Sequence, residues 1–267
     1  MLRDVTFGQY FPMDSFIHKL DPRFKILLTF GLIIVAFVSF NFYSLGLVAA
    51  FAVLIMILSG VPVKFYLKSI KPILIFVLIT AVLNIFYISG ETLLVEFWIV
   101  KIYLEGIIRA AFVAVRIVLL IIISSALTYT TSPTSLTDAI ENLLKPISKL
   151  GVDTHSFAMM MTIALRFIPT LIEETDKIMS AQKARGADME TGSLMQKIKA
   201  VLPILIPLLV SSFRRARELA DAMECRCYHG GEGRTRLKVL HASYRDAIAL
   251  ISSFILLSLV ILLNILF

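Results

Sequence analysis

The chain has 267 residues, 58% of them hydrophobic and 17% charged, with a formal net charge of +7 and a mean hydropathy of +0.87. So apolar a composition excludes a water-soluble domain and reads as an integral membrane protein. In such a chain the basic excess reports topology rather than nucleic-acid binding, and the two cysteines, Cys225 and Cys227, lie too close in sequence to staple a fold.

Residues 1–23 carry Asp4, Asp14 and Asp21 and lack a small-residue cleavage pattern, so they are expected to stay on the chain rather than leave as a signal peptide. Ile26 to Val63 then runs 38 residues without a charge. As one helix this stretch would span ~57 Å, nearly twice the ~30 Å hydrocarbon core, so it must fold back, and Asn41-Phe42-Tyr43-Ser44 is the expected turn. Pro72 to Gly90 and Ala247 to Phe267 are uncharged over 19 and 21 residues, each enough for one crossing. Gly106 to Tyr129 is apolar except for Arg109 and Arg116 and supplies the remaining crossing, five in all. The expected class is an all-α integral membrane protein with about five transmembrane helices.

Arg3, Lys19, Arg23 and Lys25 precede the first crossing, and Lys64, Lys68 and Lys71 follow the second. The Asn41 turn has no basic residue, and the 90–105 loop has only Lys101 against Glu91, Glu96 and Glu105. This asymmetry places the N-terminus in the cytoplasm and, after five crossings, the C-terminus outside.

Residues 130–243 form a third region between transmembrane segments 1–129 and 244–267, and they read as helices. In Thr134 to Leu150 the apolar residues follow an i, i+3, i+4 stripe, with Pro146 a candidate kink or early end. His155 to Arg185 is a second pattern, bent at Pro169, and Ser193 to Cys227 a third, interrupted at Pro203 and Pro207. The run from Val201 to Phe213 is short, contains both prolines and is flanked by Lys197, Lys199, Arg214, Arg215 and Arg217, so it is not expected to span the membrane. Met159, Met160, Met161, Met179, Met189, Met195 and Met223 offer adaptable contacts, and with the prolines they fit helices that slide as levers.

The chain lacks a G-x-x-x-x-G-K loop, an H-E-x-x-H helix motif and a G-x-S-x-G elbow, so it has no recognisable means of hydrolysing a nucleotide, peptide or ester. No crossing carries a mid-membrane acid, and Asp246 sits at the inner end of the last, which disfavours a proton- or sodium-coupled carrier. Cys225-x-Cys227-x-His229 resembles metal-ligand spacing, but two positions apart on a helix are rotated by ~200°, so the thiols would face apart. Gly230-Gly231-Glu232-Gly233 reads as a helix stop rather than a phosphate loop. No cofactor or metal is expected. Arg116 lies too deep to snorkel and is a candidate for pairing with helix-end carbonyls or with a partner protein.

Two neighbourhoods each place an arginine between small residues at a helix end: Ala184-Arg185-Gly186 and Cys225-Arg226-Cys227. Small flanks permit close approach to a surface, and a guanidinium offers five donors in a fixed fork. These motifs occur with Gly8-Gln9-Tyr10, Asp14-Ser15, His18-Lys19-Leu20-Asp21-Pro22-Arg23, Leu127 to Pro133 and Ala164-Leu165-Arg166-Phe167-Ile168-Pro169. In this combination the chain resembles the transmembrane T component (EcfT) of energy-coupling-factor vitamin importers, related to the T components of cobalt and nickel importers. The resemblance implies that residues 130–243 form a cytoplasmic coupling domain whose two Ala-Arg-Gly helix ends dock into two ABC-type ATPase subunits. It thus implies Arg185 and Arg226 as coupling residues of a non-enzymatic subunit in a prokaryotic plasma membrane. The vitamin or other micronutrient would be bound by a separate small membrane S component. The second motif departs from Ala-Arg-Gly on both flanks. A stand-alone secondary transporter and a membrane scaffold without transport are the alternative functions.

Overall fold

A computed structural model describes residues 10–90, 92–97, 100–148, 151, 153–186, 194–230 and 240–266. They fall into two compact units, one holding residues up to 139 together with 240–266, the other beginning at Ile140. In the first unit the uncharged stretch does fold back: α1 (Pro22–Val38) and α2 (Phe42–Ser59) meet at a turn where Ser44 closes a capping box with Asn41. Asp21 caps α1 and Pro22 begins it, the position where a missing N–H removes no helix bond.

The stretch after residue 62 is not one straight crossing. It divides into α3 (Val63–Ile70) and α4 (Leu74–Tyr87), bent by 57°. Pro72 has no N–H to continue the ladder after Lys71, which is why the axis breaks there. The 14 residues of α4 reach only ~21 Å, less than the ~30 Å hydrocarbon core, so α4 passes the length test for a crossing only when counted with α3. The following loop contains an antiparallel hairpin, β1 (Leu93–Phe97) and β2 (Val100–Tyr103), not anticipated from sequence.

The 27-residue α5 (Leu104–Thr130) is the central helix of this unit. Its Phe112, Leu119 and Ile123 join Leu32 and Val35 of α1, Leu45 and Val48 of α2, and Leu256 and Val260 of α9 (Tyr244–Leu266) in one core. Gly106 lets α5 lie against α4 closely, since a Cβ there would stand 3.2 Å from the Ile85 carbonyl oxygen. The chain is an all-α membrane protein apart from this hairpin. Among the described residues α2, α5, the helix Thr154–Ala184 and α9 are long and apolar enough to cross a membrane, and the α3–α4 pair makes a fifth if counted as one span; the 17-residue α1 is slightly shorter.

The division between units falls within α6 (Pro133–Ser148), a continuous helix through Pro146; Lys149 and Leu150 lie outside the described residues. In the second unit α7 (Thr154–Ala184) and α8 (Leu194–Glu224) each run 31 residues. Neither is interrupted: Pro169, Pro203 and Pro207 lie inside continuous helices. Each proline deletes one backbone bond, but the neighbouring turns carry the helix through.

Candidate functional site

Local sequence fixes how the helices of the second unit begin and how they pair. Asp153 accepts the Ser156 N–H at 3.0 Å and caps α7. Midway along, Glu174 accepts from Arg215 of α8 at 2.9 Å and from the Ser211 hydroxyl. Met159, Ile163 and Arg166 near the start of α7 share a cleft of about 530 Å³ with Leu219, Met223 and Arg226 near the end of α8. The two helices therefore run antiparallel. Arg226 lies beside the start of α7, whereas Arg185 lies just past its end. Each is about eleven residues from the central Glu174–Arg215 tie, in opposite directions, so along the helix axes the arginines are separated by on the order of 30 Å.

Both arginines stand at a helix end and are followed by a residue in the left-handed region. Arg185 is the C-cap of α7 (φ −85°, ψ 5°), with its N–H bonded to the Ala181 carbonyl oxygen. Gly186 follows in the left-handed region (φ +86°) and donates to Lys183 at 3.0 Å. After Arg226, Cys227 takes that left-handed position at φ +55°. Its N–H bonds Glu224 at 2.8 Å and the Tyr228 N–H bonds Met223 at 3.1 Å, the paired bonds of a Schellman cap. A side chain in this region costs roughly 1–2 kcal/mol relative to glycine. The departure from Ala-Arg-Gly therefore leaves the backbone path intact and adds strain at one residue.

Ala184, Arg185 and Gly186 are exposed, as are Cys225, Arg226 and Cys227. Among the described residues neither guanidinium has a side-chain hydrogen bond or ion pair. Each thus presents its donors outward at the negative end of a helix dipole. Because α8 ends at Glu224, the two cysteines lie on a turn and not on a helix that would rotate their thiols apart. Even so, no group of three or more His, Cys, Asp or Glu side chains among the described residues is placed to hold a metal ion. The helix stop is Cys227 and not the glycine cluster, of which Gly231, Glu232 and Gly233 lie outside the described residues, as do Gly8 and Gln9 of the opening motif.

Residues 13–237 match the CbiQ family, described as cobalt transport protein. A Clostridium kluyveri protein named energy-coupling factor transporter transmembrane protein EcfT is 56% identical over 257 residues, covering 96% of this chain and 95% of that protein. Proteins of the same name from Thermosediminibacter oceani and Bacillus subtilis are 48% and 41% identical over 252 and 256 residues. These cover 94% and 96% of this chain and 95% and 97% of those proteins. The chain belongs to the CbiQ/EcfT family. It is an EcfT-type transmembrane component of an energy-coupling-factor transporter and a multi-pass membrane protein.

In this family member the other residues singled out from sequence serve the bundle. Arg116, ~18 Å into α5, donates to the carbonyl of Ser39, the C-cap of α1, and its guanidinium lies 4.8 Å from the Phe112 ring centroid. Asn264 donates to the adjacent Val38 carbonyl at 2.7 Å. Two side chains from different helices thus satisfy carbonyls at the end of α1, where Ser39 is buried. The Ser39 carbonyl is thus a helix-end acceptor of the kind expected for Arg116.

The His18-to-Arg23 motif of the EcfT-type chain builds a junction at the opposite end of the bundle. Asp246, 1% exposed, accepts the Asp21 N–H at 2.8 Å and the Ser243 N–H at 2.7 Å. Asp21 pairs with Arg23 at 2.7 Å, and Arg23 donates to the Leu240 carbonyl at 3.0 Å. Burial alone would raise the Asp21 carboxyl, but the Arg23 hydrogen bonds and charge outweigh it and hold the group below its ordinary value. Lys25 donates to the Thr130 carbonyl at 2.9 Å, tying α1 to the end of α5. His18 Nε2 lies 2.8 Å from the Phe11 carbonyl oxygen, which can only accept, so Nε2 carries the proton and Nδ1 accepts from the Ser15 hydroxyl at 2.7 Å. Sequence reasoning located Asp246 but not this role, because its partner Asp21 is 225 residues away.

Proposed function

We propose that this chain receives ATP-driven movement from two cytoplasmic ABC-type ATPase subunits, one docking at Arg185 and the other at Arg226. It passes that movement to a separate small membrane S component that binds a vitamin or other micronutrient. The observation that carries this reading is the matched pair of helix ends: two exposed arginines just past helix C-termini, each followed by a left-handed residue, at opposite ends of one antiparallel helix pair. One docking element would touch one partner, and two such elements ~30 Å apart suit two similar partners side by side. The chain itself is non-enzymatic and uses no cofactor in this reading. Residues 1–129 and 244–267 form the membrane body, and 130–243 the cytoplasmic coupling domain.

The N-terminus faces the cytoplasm of a prokaryotic cell, with the protein in the plasma membrane. Lys19, Arg23, Lys25, Lys64, Lys68, Lys71 and Arg245 supply the basic end of the bundle expected on that side. α7 is apolar enough in part to span, but we read it as outside the bilayer because it is tied at mid-length to α8 through Glu174 and Arg215. A hydrocarbon setting would leave the remaining charges there, Glu173, Asp176, Lys177, Arg214 and Arg217, without water.

Co-purification and uptake test the assignment. Truncating a charged anchor in a mostly buried interface typically costs ~2–5 kcal/mol, so Arg185→Ala and Arg226→Ala should each weaken ATPase retention. The double variant should lose both ATPases while thermal unfolding of the membrane body is unchanged. A double variant that keeps its ATPases and takes up substrate at the wild-type rate would overturn the coupling assignment.

A further inference from the structure

The eight residues of α3 leave the axis of α4 at an angle of 57° and present three distinct faces. The first face is fixed to the bundle. Tyr66 is buried and its hydroxyl lies 3.0 Å from Ser59 Oγ, while the Tyr129 hydroxyl donates to the Phe65 carbonyl at 3.0 Å and meets Ser69. Phe65 also packs edge-on against Phe11 at 4.4 Å between ring centroids. Next around the helix come Val63 and Leu67, one turn apart and 57% and 61% exposed. Beyond them Lys64, Lys68 and Lys71 follow i, i+4, i+7 spacing and form one exposed row. Among the described residues none of the three ammonium groups has a hydrogen bond or ion pair.

An apolar stripe between a bundle-facing side and a lysine row, on a helix that leaves the span axis, is the arrangement of a helix lying in the membrane surface. We infer that the lysine row of α3 binds the phosphate headgroups of anionic bilayer lipids, with Val63 and Leu67 seated at the acyl boundary. An acidic protein partner would match the lysines equally well, but it would not by itself cover Val63 and Leu67. A lipid surface satisfies both rows at once, hydrocarbon against the apolar stripe and phosphate against the ammonium groups. The bound headgroups would fix the depth of α3, and through Tyr66 and Tyr129 the depth of the α5 end. This inference does not depend on the ATPase contacts proposed above.

Lipid retention by the full-length chain tests it. The purified protein in a non-ionic detergent is titrated with phosphatidylglycerol and, in parallel, phosphatidylcholine, and bound lipid is counted by native mass spectrometry. Each lysine near an anionic surface is worth about fivefold in binding, so K64Q/K68Q/K71Q should retain phosphatidylglycerol at least tenfold less well than wild type. Phosphatidylcholine retention should not change, and the triple arginine variant should keep the preference. Raising salt from ~0.1 to ~1 M, which shortens the Debye length from ~10 to ~3 Å, should abolish the preference in the wild type. Undiminished phosphatidylglycerol retention by the glutamine variant would overturn the proposal. So would a variant that keeps its lipid but sheds an acidic protein subunit, which would make this face a protein interface.

Discussion

At the scale of single residues, Cys227 is the most informative position in the chain. Gly186 occupies the corresponding place in the first motif with no side-chain penalty, whereas Cys227 adopts the same left-handed backbone at a cost. Cys227→Gly should therefore stabilise the end of α8 by about 1 kcal/mol, and Gly186→Ala should destabilise the end of α7 by about the same amount. Amide hydrogen exchange in the last turns of each helix reads both changes directly. The Ala-Arg-Gly of the first motif is legible because glycine after a helix is a standard stop signal. The second is not, because which side chain is forced into a left-handed cap depends on where the helix ends, and a cysteine carries no such signal. Asp246 shows the same limit. Replacing it by alanine leaves the Asp21 and Ser243 N–H groups unpaired, one of them in a buried bond, so Asp246→Ala should lower stability by about 2–4 kcal/mol in thermal unfolding.

At the scale of elements, hydrophobic runs and their charged punctuation place the first turn, α5 and α9 within a few residues, because bilayer thickness fixes how long such helices must be. Proline is read less well. Pro72 breaks a span because it follows directly on Lys71 at a helix end, while Pro169, Pro203 and Pro207 sit within helices long enough to continue on both sides. The lever expectation, as far as it relied on prolines cutting these helices into segments, therefore loses that support. The 90–105 hairpin escaped notice because its strands lie in a segment read only for its charges. The segment before α1 is held together through His18, which bonds Ser15 and the Phe11 carbonyl. Burial holds His18 below its ordinary pKa of 6.5; the Phe11 carbonyl pulls it upward, and the nearby charge of Lys25 adds to the lowering. A lowered folded pKa means that the unfolded chain binds the proton more readily, so this contribution is complete above the ordinary value and is lost as pH falls below it. The unfolding temperature should fall with acidification below pH 6.5, and this fall should be smaller in His18→Gln. An identical pH profile in the two proteins would show that His18 contributes nothing to the pH dependence of stability.

At the scale of the whole molecule, charge gives the membrane unit a direction. Most of its basic residues, Lys101, Arg109 and Arg116 excepted, cluster where the start of α1, the start of α9, the end of α5 and the α2–α3 link meet, as the Asp21–Asp246, Lys25–Thr130 and Tyr66–Tyr129 contacts require. The other end carries the Ser39–Arg116 cap, the α1–α2 turn and the hairpin. In the orientation proposed above, the first end is the cytoplasmic one, and the end of α5 and the start of α9 both lie there. The chain provides its own reporters for this orientation, because Cys225 and Cys227 are free, exposed thiols flanking Arg226. A membrane-impermeant maleimide should leave them unlabelled in intact cells and label them in inside-out vesicles. With both native cysteines replaced, Thr92→Cys, in the exposed connection between α4 and β1, should show the reverse pattern. Labelling of the native thiols from outside intact cells would place Arg226 across the membrane from any cytoplasmic ATPase. Coupling through this helix pair would then be impossible, however well the two helix ends match.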